Sequence, residues 1–293
     1  MLKDKFIDHI LYEKRYSPHT IAAYSNDLDQ FVSFCKETYN VSSEKDIDHF
    51  IIRSWIIALS EEGTSSRSIN RKLSSLKSYY RFLLKEGFID ANPMQKITAP
   101  KSRKNLPVFI EEDKIDFLFD EVNFGEGFTG IRDRLILELL YATGMRLSEL
   151  VNLKEADLDL ANQTIKVIGK RNKERLIPII QHLIVLFINY LEIKHQQYDN
   201  NFVYLFVTNR GEPIYHKMVY RIVNNYLSQV TTKTKKSPHV LRHTFATHML
   251  NHGADLNAIK EILGHANLSA TQVYTHNTID KLKDIYKQAH PRA

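Results

Sequence analysis

Cysteine is nearly absent from this chain of 293 residues, in which Cys35 is the only one. A single thiol excludes an internal disulfide, so the fold must be held by non-covalent packing. Cys35 lies in an apolar stripe with Phe31 and Phe34 at helical spacing. We therefore expect Cys35 to be a small buried hydrophobic side chain.

Long hydrophobic runs are also missing. No stretch approaches the about 18 uninterrupted apolar residues of a membrane-spanning helix, and the start at Met1–Phe6 has mixed charge without an apolar signal-peptide core. The phosphate-binding pattern Gly-x-x-x-x-Gly-Lys-Ser/Thr does not occur either. These absences predict a soluble protein that is not exported, does not contact a membrane and lacks this nucleotide-binding loop.

Positive charge is in moderate excess. The chain has 40 Lys and Arg against 34 Asp and Glu, a net charge of +6 and an isoelectric point near 9.1. This balance favours a polyanionic partner without establishing one. The length is sufficient for two domains that each bury a core.

The first 92 residues predict four helices separated by short polar breaks. Ser17-Pro18 is a start signal for the second helix, and Gly87 is a stop signal for the fourth. Residues 93–107 contain three prolines and four basic residues, which predicts an extended, solvated linker. Residues 108–293 would then form a second domain.

The second domain is predicted to be mostly helical with one hairpin. Residues 164–168 and 175–178 are short runs rich in branched side chains, and residues 169–173 between them form a basic tip. Three glycines between positions 125 and 130 predict a loop before an apolar helix over residues 133–142. The expected fold class is therefore mainly α, with one small antiparallel sheet.

The predicted fourth helix, residues 66–85, carries no acidic residue. Between Ser65 and Asn105 there are ten basic residues and only two acidic ones. A stripe of one sign with interleaved serines favours contacts to successive phosphates, whereas an ordinary solvated helix mixes both signs. The residues predicted to contact a nucleic acid are Arg67, Arg71, Ser74, Ser78 and Arg81, together with Lys101, Arg103 and Lys235.

Six further side chains carry the groups needed to attack a phosphodiester: Arg146, Lys170, His239, Arg242, His265 and Tyr274. His239 and Arg242 lie three residues apart at the start of a helix signalled by Ser237-Pro238, so they share one face. Two arginines can each bind non-bridging oxygens bidentately. A phenol can attack phosphorus, and a lysine can protonate the leaving oxygen.

Plainer interpretations compete with this one. Taken alone, Tyr274 is more often a packed aromatic residue than a nucleophile. We interpret His243, His248 and His252 as incidental histidines of a surface helix. Histidine pairs at i,i+4 could bind a metal, but residues 239–252 contain no carboxylate and no cysteine to complete a site. We predict neither a metal nor another cofactor.

Five ordered segments carry a resemblance to a known family. In order and spacing they resemble the signature blocks of the tyrosine recombinase (phage integrase) family, most closely its XerC/XerD branch. The similarity continues through residues 16–20 and 290–293 and so covers nearly the whole chain. The five segments are Gly144–Leu150, Gly169–Arg175, His239–His243, Leu263–His265 and Tyr274–His276.

The resemblance implies an N-terminal, SAM-like core-binding domain and a C-terminal catalytic domain that clamp DNA between them. It makes Tyr274 the nucleophile that forms a 3′-phosphotyrosyl bond, and Lys170 the general acid for the 5′ oxygen. Arg146 and Arg242 would clamp the scissile phosphate. The two remaining positions, His239 and His265, would assist proton transfer and hydrogen-bond the transition state.

The resemblance also implies an assembly and a task. A site-specific recombinase of this kind joins two double-stranded DNA sites as a homo- or hetero-tetramer with a related recombinase, and exchanges strands through a Holliday junction. We expect a terminal helix at about 278–290 to dock into a neighbouring protomer, the alternative being that it folds back on its own domain.

The predicted task is chromosome dimer resolution at cell division, in the cytoplasm at the nucleoid, with a possible activating DNA translocase. Three alternatives remain at this point. They are an integrase of a mobile genetic element, a DNA-relaxing topoisomerase and, outside the enzymes, an architectural DNA-binding protein.

Overall fold

The computed structural model of the protein describes residues 2–101, 108–169, 173–198, 203–264 and 276–292. The chain divides into two compact units, Met1–Asn105 and Leu106–Ala293. Among the described helices, none combines the length and the apolar character needed to cross a membrane.

The described residues of the first unit form four α-helices, as predicted. Serine side chains cap the N-termini of two of them. The Ser17 hydroxyl accepts the Thr20 N–H at 3.4 Å, and the Ser65 hydroxyl accepts the Ser68 N–H at 3.3 Å. A π-helical turn at His9–Glu13 extends the first helix. The four helices are α1 (Lys3–Asp8), α2 (Pro18–Tyr39), α3 (His49–Glu61) and α4 (Ser66–Lys85).

Aromatic and aliphatic side chains fill the core of the first unit. The rings of Phe31 on α2 and Trp55 on α3 lie 5.0 Å apart, and Leu76 and Tyr80 of α4 are fully buried. Cys35 is fully buried as well, which confirms the sequence prediction. Burial raises the pKa of its thiol to about 12, so the side chain acts as a packing residue rather than a reactive thiolate.

The predicted linker is wrong over its first residues, 93–97. Pro93–Lys96 forms a 3₁₀ turn, and Met94 and Ile97 are buried in the core of the first unit. The Asn70 amide also donates to the Pro100 carbonyl at 3.0 Å. Proline spacing indicated an extended segment, but two apolar side chains between the prolines gain more by packing against α3 and α4 than by solvation.

The second unit is mostly helical, as predicted. Its central helix, α6, buries 13 of its 17 residues and packs against α8 and α10. The described helices are α5 (Glu112–Asp120), α6 (Gly127–Thr143), α7 (Leu147–Val151), α8 (Gln181–Gln197), α9 (His216–Val230), α10 (Pro238–Asn251), α11 (Leu256–Leu263) and α12 (His276–Ala289).

The described residues also form a small antiparallel sheet, whose side chains Ile165, Val167 and Ile177 belong to the same core. Strands β2 (Thr164–Ile168) and β3 (Glu174–Pro178) form the predicted hairpin, with Ile165 opposite Ile177. A two-residue strand, β1 (Leu158–Asp159), adds to β2 and was not predicted, because two residues give no detectable alternation.

The predicted loop at the three glycines ends earlier than expected, because α6 begins at Gly127 and includes Gly130. Gly130 is required by a close approach of the chain rather than by a turn. A Cβ atom at this position would lie 2.0 Å from the Gly125 carbonyl oxygen. A glycine inside a helix looked like a loop signal, and only the tertiary contact explains it.

The terminal helix, expected at about 278–290, is α12, and it packs against its own domain. Leu282, Tyr286 and Ala289 are buried, and the Tyr286 hydroxyl donates to the Ala142 carbonyl of α6 at 2.6 Å. Arg292 then forms ion pairs with Asp116 and Asp120 of α5 (3.0 and 2.7 Å). In the single chain, the described side chains of α12 thus adopt the alternative, folding back on their own domain, and docking into a neighbouring protomer stays a prediction.

Candidate active site

Two turns bring the predicted arginines together. One turn follows α6 from Gly144 to Arg146, and the other ends α11 at Leu263 and Gly264. Arg242, on α10, donates to the Gly144 carbonyl at 2.5 Å and to the Leu263 carbonyl at 2.7 Å. Arg146 donates to the Gly264 carbonyl at 3.1 Å. Arg242 thus bridges the two turns, and Arg146, which lies in the first turn, bonds the backbone of the second.

The two arginines differ in exposure. Arg242 is buried, with 8 % of its surface exposed, whereas the side chain of Arg146 is 38 % exposed. Burial, followed by the positive charge of Arg146, lowers the pKa of Arg242 to about 10, so it stays protonated at neutral pH. Carbonyl oxygens orient Arg242 without cancelling its charge. The pair therefore offers positive charge and spare N–H donors to an anion from solvent.

A buried carboxylate, Glu149 on α7, holds Arg146 in place. One oxygen accepts the Arg146 backbone N–H at 2.7 Å, and the other accepts the Arg146 guanidinium at 2.8 Å. Burial acts to raise the pKa of Glu149, but hydrogen bonds and charge from Arg175, together with bonds from Arg146, lower it to about 2. Glu149 is therefore an anion throughout the physiological range.

Arg175 on β3 is the second partner of Glu149. Its two terminal nitrogens donate to the two carboxylate oxygens at 2.9 and 2.8 Å, and its third nitrogen donates to the Ile262 carbonyl at 2.7 Å. Sequence reasoning assigned no role to Glu149 or Arg175. The available signal was Arg175 at an inward-facing position of a predicted strand, two residues before Ile177, where a charge needs a buried partner.

Two glycines pack against this ion pair. Gly264 has a positive φ of +65°, and a Cβ atom on it would lie 3.1 to 3.2 Å from the Arg175 guanidinium. A Cβ atom on Gly169 would lie 3.5 Å from a Glu149 oxygen. Gly169 precedes Lys170 in the chain, and Gly264 precedes His265. The backbone leading into both predicted residues therefore lies beside the Glu149–Arg175 pair.

The remaining predicted site residues fall into two groups. His239 is exposed at the start of α10, one turn before Arg242 and close to half-buried His243, whose pKa is lowered by burial and by His239. Lys170, His265 and Tyr274 lie outside the described residues. Their positions in the site stay predictions, whereas the convergence of Arg146 and Arg242 is observed.

His248 is a buried structural residue, so its interpretation as an incidental histidine of a surface helix is wrong. It is 1 % exposed, and its two ring nitrogens lie 2.9 Å from the Tyr141 hydroxyl and 2.9 Å from the Ile110 carbonyl. Across the described ranges, histidine, cysteine and carboxylate side chains form no group of three that could hold a metal. The expected absence of a metal stays a prediction.

The basic stripe on α4 is exposed at Arg67 and Arg81, but its middle is partly engaged. Arg71 donates to both oxygens of buried Asp27, at 2.5 and 2.7 Å. Lys72, counted from the sequence among the basic residues, is itself buried against Asp27. Arg71 therefore contributes to the stability of the first unit, while its half-exposed side chain still faces solvent.

The other residues predicted to contact a nucleic acid differ in whether their side chains are free to bond a phosphate. The hydroxyls of Ser74 and Ser78 donate to carbonyls four residues earlier, at 2.9 and 3.0 Å, so either would have to break that bond to donate to a phosphate. Lys101 and Lys235 are exposed. Arg103 lies outside the described residues.

Comparison with known proteins relates both units to one family. The phage integrase family matches residues 108–281, and the phage integrase N-terminal SAM-like domain matches residues 4–87. Tyrosine recombinase XerC of Pelobacter propionicus is 40 % identical over 286 residues, covering 97 % of this chain and 93 % of the relative. Tyrosine recombinase XerC of Bacillus pumilus is 39 % identical over 293 residues, covering 98 % and 95 %.

Solved structures share the fold. The crystal structure of XerA recombinase is 28 % identical, covers 99 % of both chains and superposes with a TM-score of 0.50. The XerH recombinase bound to palindromic difH substrate, in a post-cleavage complex, is 23 % identical, covers 96 % of this chain and 83 % of that chain, and has a TM-score of 0.73.

Replacing Gly264 by alanine tests the packing of Arg175 under the second turn. Gly253, which has a φ of +82° and nothing within 4 Å of a built Cβ, is the matched control. Both substitutions strain a left-handed backbone by about 1–2 kcal/mol. Gly264→Ala should lower the free energy of unfolding by about 1 kcal/mol more than Gly253→Ala, because it also crowds the guanidinium. Urea unfolding measures both, and equal losses would contradict the packing described.

Proposed function

The chain belongs to the phage integrase family of tyrosine recombinases, enzymes that break and rejoin DNA, and on this basis we propose how its site performs the reaction. Tyr274 loses its phenol proton with the help of His239 or His265, attacks the scissile phosphorus through the phenol oxygen and forms a 3′-phosphotyrosyl bond. The 5′ oxygen leaves with a proton from Lys170. In the reverse step, the 5′ hydroxyl of the partner strand attacks the phosphotyrosine, and Tyr274 recovers its proton.

The observation that carries this proposal is the convergence of Arg146 and Arg242. The Arg242 guanidinium bonds both turns, and the Arg146 guanidinium bonds Gly264 and Glu149, so both are oriented before any DNA arrives. Such preorganised donors stabilise the charge that builds on the non-bridging oxygens, each by about 3 kcal/mol at the transition state. His239, exposed one turn before Arg242, and His265 assist proton transfer to and from the reacting oxygens.

A phosphotyrosyl intermediate retains the energy of the broken bond, so rejoining needs no nucleotide. The chemistry also needs no metal, because guanidinium groups supply the positive charge that a metal would otherwise bring. Arg242 remains a cation despite its burial, since its pKa, although lowered by burial, is still about 10. Arg242 can therefore bind a phosphate at any physiological pH, and we call Arg146 and Arg242 together the arginine clamp.

The biological setting proposed is the resolution of chromosome dimers. Two relatives that match almost the full length of the chain carry the name tyrosine recombinase XerC, and this supports a chromosomal role over that of a mobile-element integrase. The proposed assembly is a tetramer of this chain, alone or with a second recombinase, that passes through a Holliday junction. A DNA translocase is a candidate activator, and the reaction would take place in the cytoplasm at the nucleoid.

Cleavage of a nicked duplex tests the mechanism. The duplex carries a site first selected from random DNA by binding to the protein, and the nick lets the released fragment diffuse away, which traps the covalent complex. The wild-type protein should form an adduct that survives denaturation and also forms in EDTA. Tyr274→Phe should form none, because it lacks the attacking oxygen. An equal amount of adduct from Tyr274→Phe would contradict the nucleophile assignment.

The proposed DNA contact of α4 is tested at Arg81, because replacing Arg71 would also remove two hydrogen bonds from buried Asp27. Arg81→Ala should weaken DNA binding and reduce the slope of log affinity against log salt by about 0.9, the value for one phosphate contact. Lys36→Ala, an exposed residue in the last turn of α2 and outside the stripe, is the charge-matched control. Identical slopes for both variants and the wild type would exclude this face.

A further inference from the structure

We propose that Arg175 is a positioning residue for strand cleavage, which acts through Glu149 on Arg146. The inference rests on the proposed function, because it assigns Arg175 an effect on the phosphate clamp. Arg175 is 5 % exposed and donates to groups of its own chain through all three guanidinium nitrogens, so it would not contact DNA itself.

The carboxylate of Glu149 is shared symmetrically. One oxygen accepts a guanidinium N–H from Arg175 at 2.9 Å and one from Arg146 at 2.8 Å. The other oxygen accepts the second guanidinium N–H of Arg175 at 2.8 Å and the backbone N–H of Arg146 at 2.7 Å. Each arginine therefore supplies one bond to each oxygen. Because Arg175 bonds both oxygens, the carboxylate plane cannot rotate without breaking a bond to Arg175, and the two acceptors of Arg146 therefore stay in place.

Charge supports the same conclusion. If Glu149 paired with Arg146 alone, the carboxylate would cancel the charge of the guanidinium that is to bind the phosphate. Arg175 provides a second cation for the same anion, so the group of three keeps a net positive charge. Arg175 is buried and Arg146 is half-exposed, which leaves Arg146 as the member of the group that solvent and an incoming anion can reach.

Arg175 also joins parts of the chain that are remote in sequence. Its position on β3 is 26 residues from Glu149 and 87 residues from Ile262, whose carbonyl it binds at the end of α11. Gly169 and Gly264 approach the Glu149–Arg175 pair, and they precede Lys170 and His265.

A lysine in place of Arg175 would keep the positive charge, but one ammonium group cannot span both carboxylate oxygens and the Ile262 carbonyl in this planar arrangement.

A matched control separates positioning from general stability. Arg132 on α6 is also buried, at 1 % exposure, and it bonds Asp133, the Val207 carbonyl and Asn209. None of these partners bonds Arg146 or Glu149 among the described contacts. Arg132→Lys should therefore destabilise the same unit in a similar way without disturbing the clamp.

The experiment measures the single-turnover rate of adduct formation on the nicked duplex at saturating DNA. Arg175→Lys should slow cleavage on the order of 10- to 100-fold, since a clamp displaced by about 1 Å loses this much. Its DNA affinity should stay near that of the wild type. Arg132→Lys should cleave at the wild-type rate. Thermal unfolding of each variant shows which fraction is folded at the assay temperature.

A double substitution tests the route through Arg146. If Arg175 acts by holding Glu149 and Arg146, the variant with both Arg146→Lys and Arg175→Lys should cleave no slower than Arg146→Lys alone. Arg175→Gln, which can still donate to one carboxylate oxygen, replaces Arg175→Lys if the lysine variant does not fold. The glutamine variant should show the same loss of rate and the same lack of additivity.

Three outcomes would overturn the inference while the proposed function stands. They are wild-type cleavage by Arg175→Lys, an equal slowing by Arg132→Lys, and rate losses that multiply in the double variant. Failure of the proposed function is recognised separately, because the wild-type protein itself would then form no adduct that depends on Tyr274. In that case the inference falls with it.

Discussion

The site depends on one buried carboxylate. Glu149 is 4 % exposed, and an anion removed from water to this extent would destabilise the fold unless several donors surrounded it. Four hydrogen bonds from Arg146 and Arg175 meet this requirement and lower the pKa of Glu149 to about 2, against the effect of burial. The start of α7, strand β3 and the end of α11 must adopt their observed places for these bonds to exist together.

The two arginines of the clamp are held in different ways, and the difference matters for function. Arg242 is bound by backbone carbonyls, which orient its guanidinium while leaving its full charge available. Arg146 is bound by a carboxylate that would neutralise it, were that carboxylate not shared with Arg175. The arrangement therefore combines rigid donors with a net positive charge. Rigid donors and a net positive charge are both required if the site is to stabilise the charge of the transition state without moving its own side chains during the reaction.

Much of the fold was predictable because local signals and tertiary packing agree. Ser17-Pro18 and Ser65 begin helices where their side chains satisfy free N–H groups, and the β2–β3 hairpin follows from alternating branched residues. The segment 93–97 was mispredicted because proline is a local signal, whereas burial of Met94 and Ile97 depends on surfaces contributed by α3 and α4.

The site was partly predictable for a related reason. Residue types and motif order singled out Arg146 and Arg242, but nothing local states that Glu149 and Arg175, separated by 26 positions, share two hydrogen bonds. For Lys72 the sequence suggested a DNA contact that the structure does not support. It was counted with the basic stripe by composition, yet its ammonium is buried against Asp27. Pairing between distant charges is set by the tertiary fold, and composition alone does not reveal it.

Arg146 and Arg242 are held in place for the phosphate before DNA binds. A crystal structure of Tyr274→Phe bound to its DNA site would test this most directly, since the variant can bind the scissile phosphate without cutting. We predict that Arg146 and Arg242 each contact a non-bridging oxygen of one phosphate while Arg146 keeps both bonds to Glu149. A structure in which Arg146 leaves Glu149 to reach DNA, or in which the scissile phosphate lies away from both arginines, would contradict the claim.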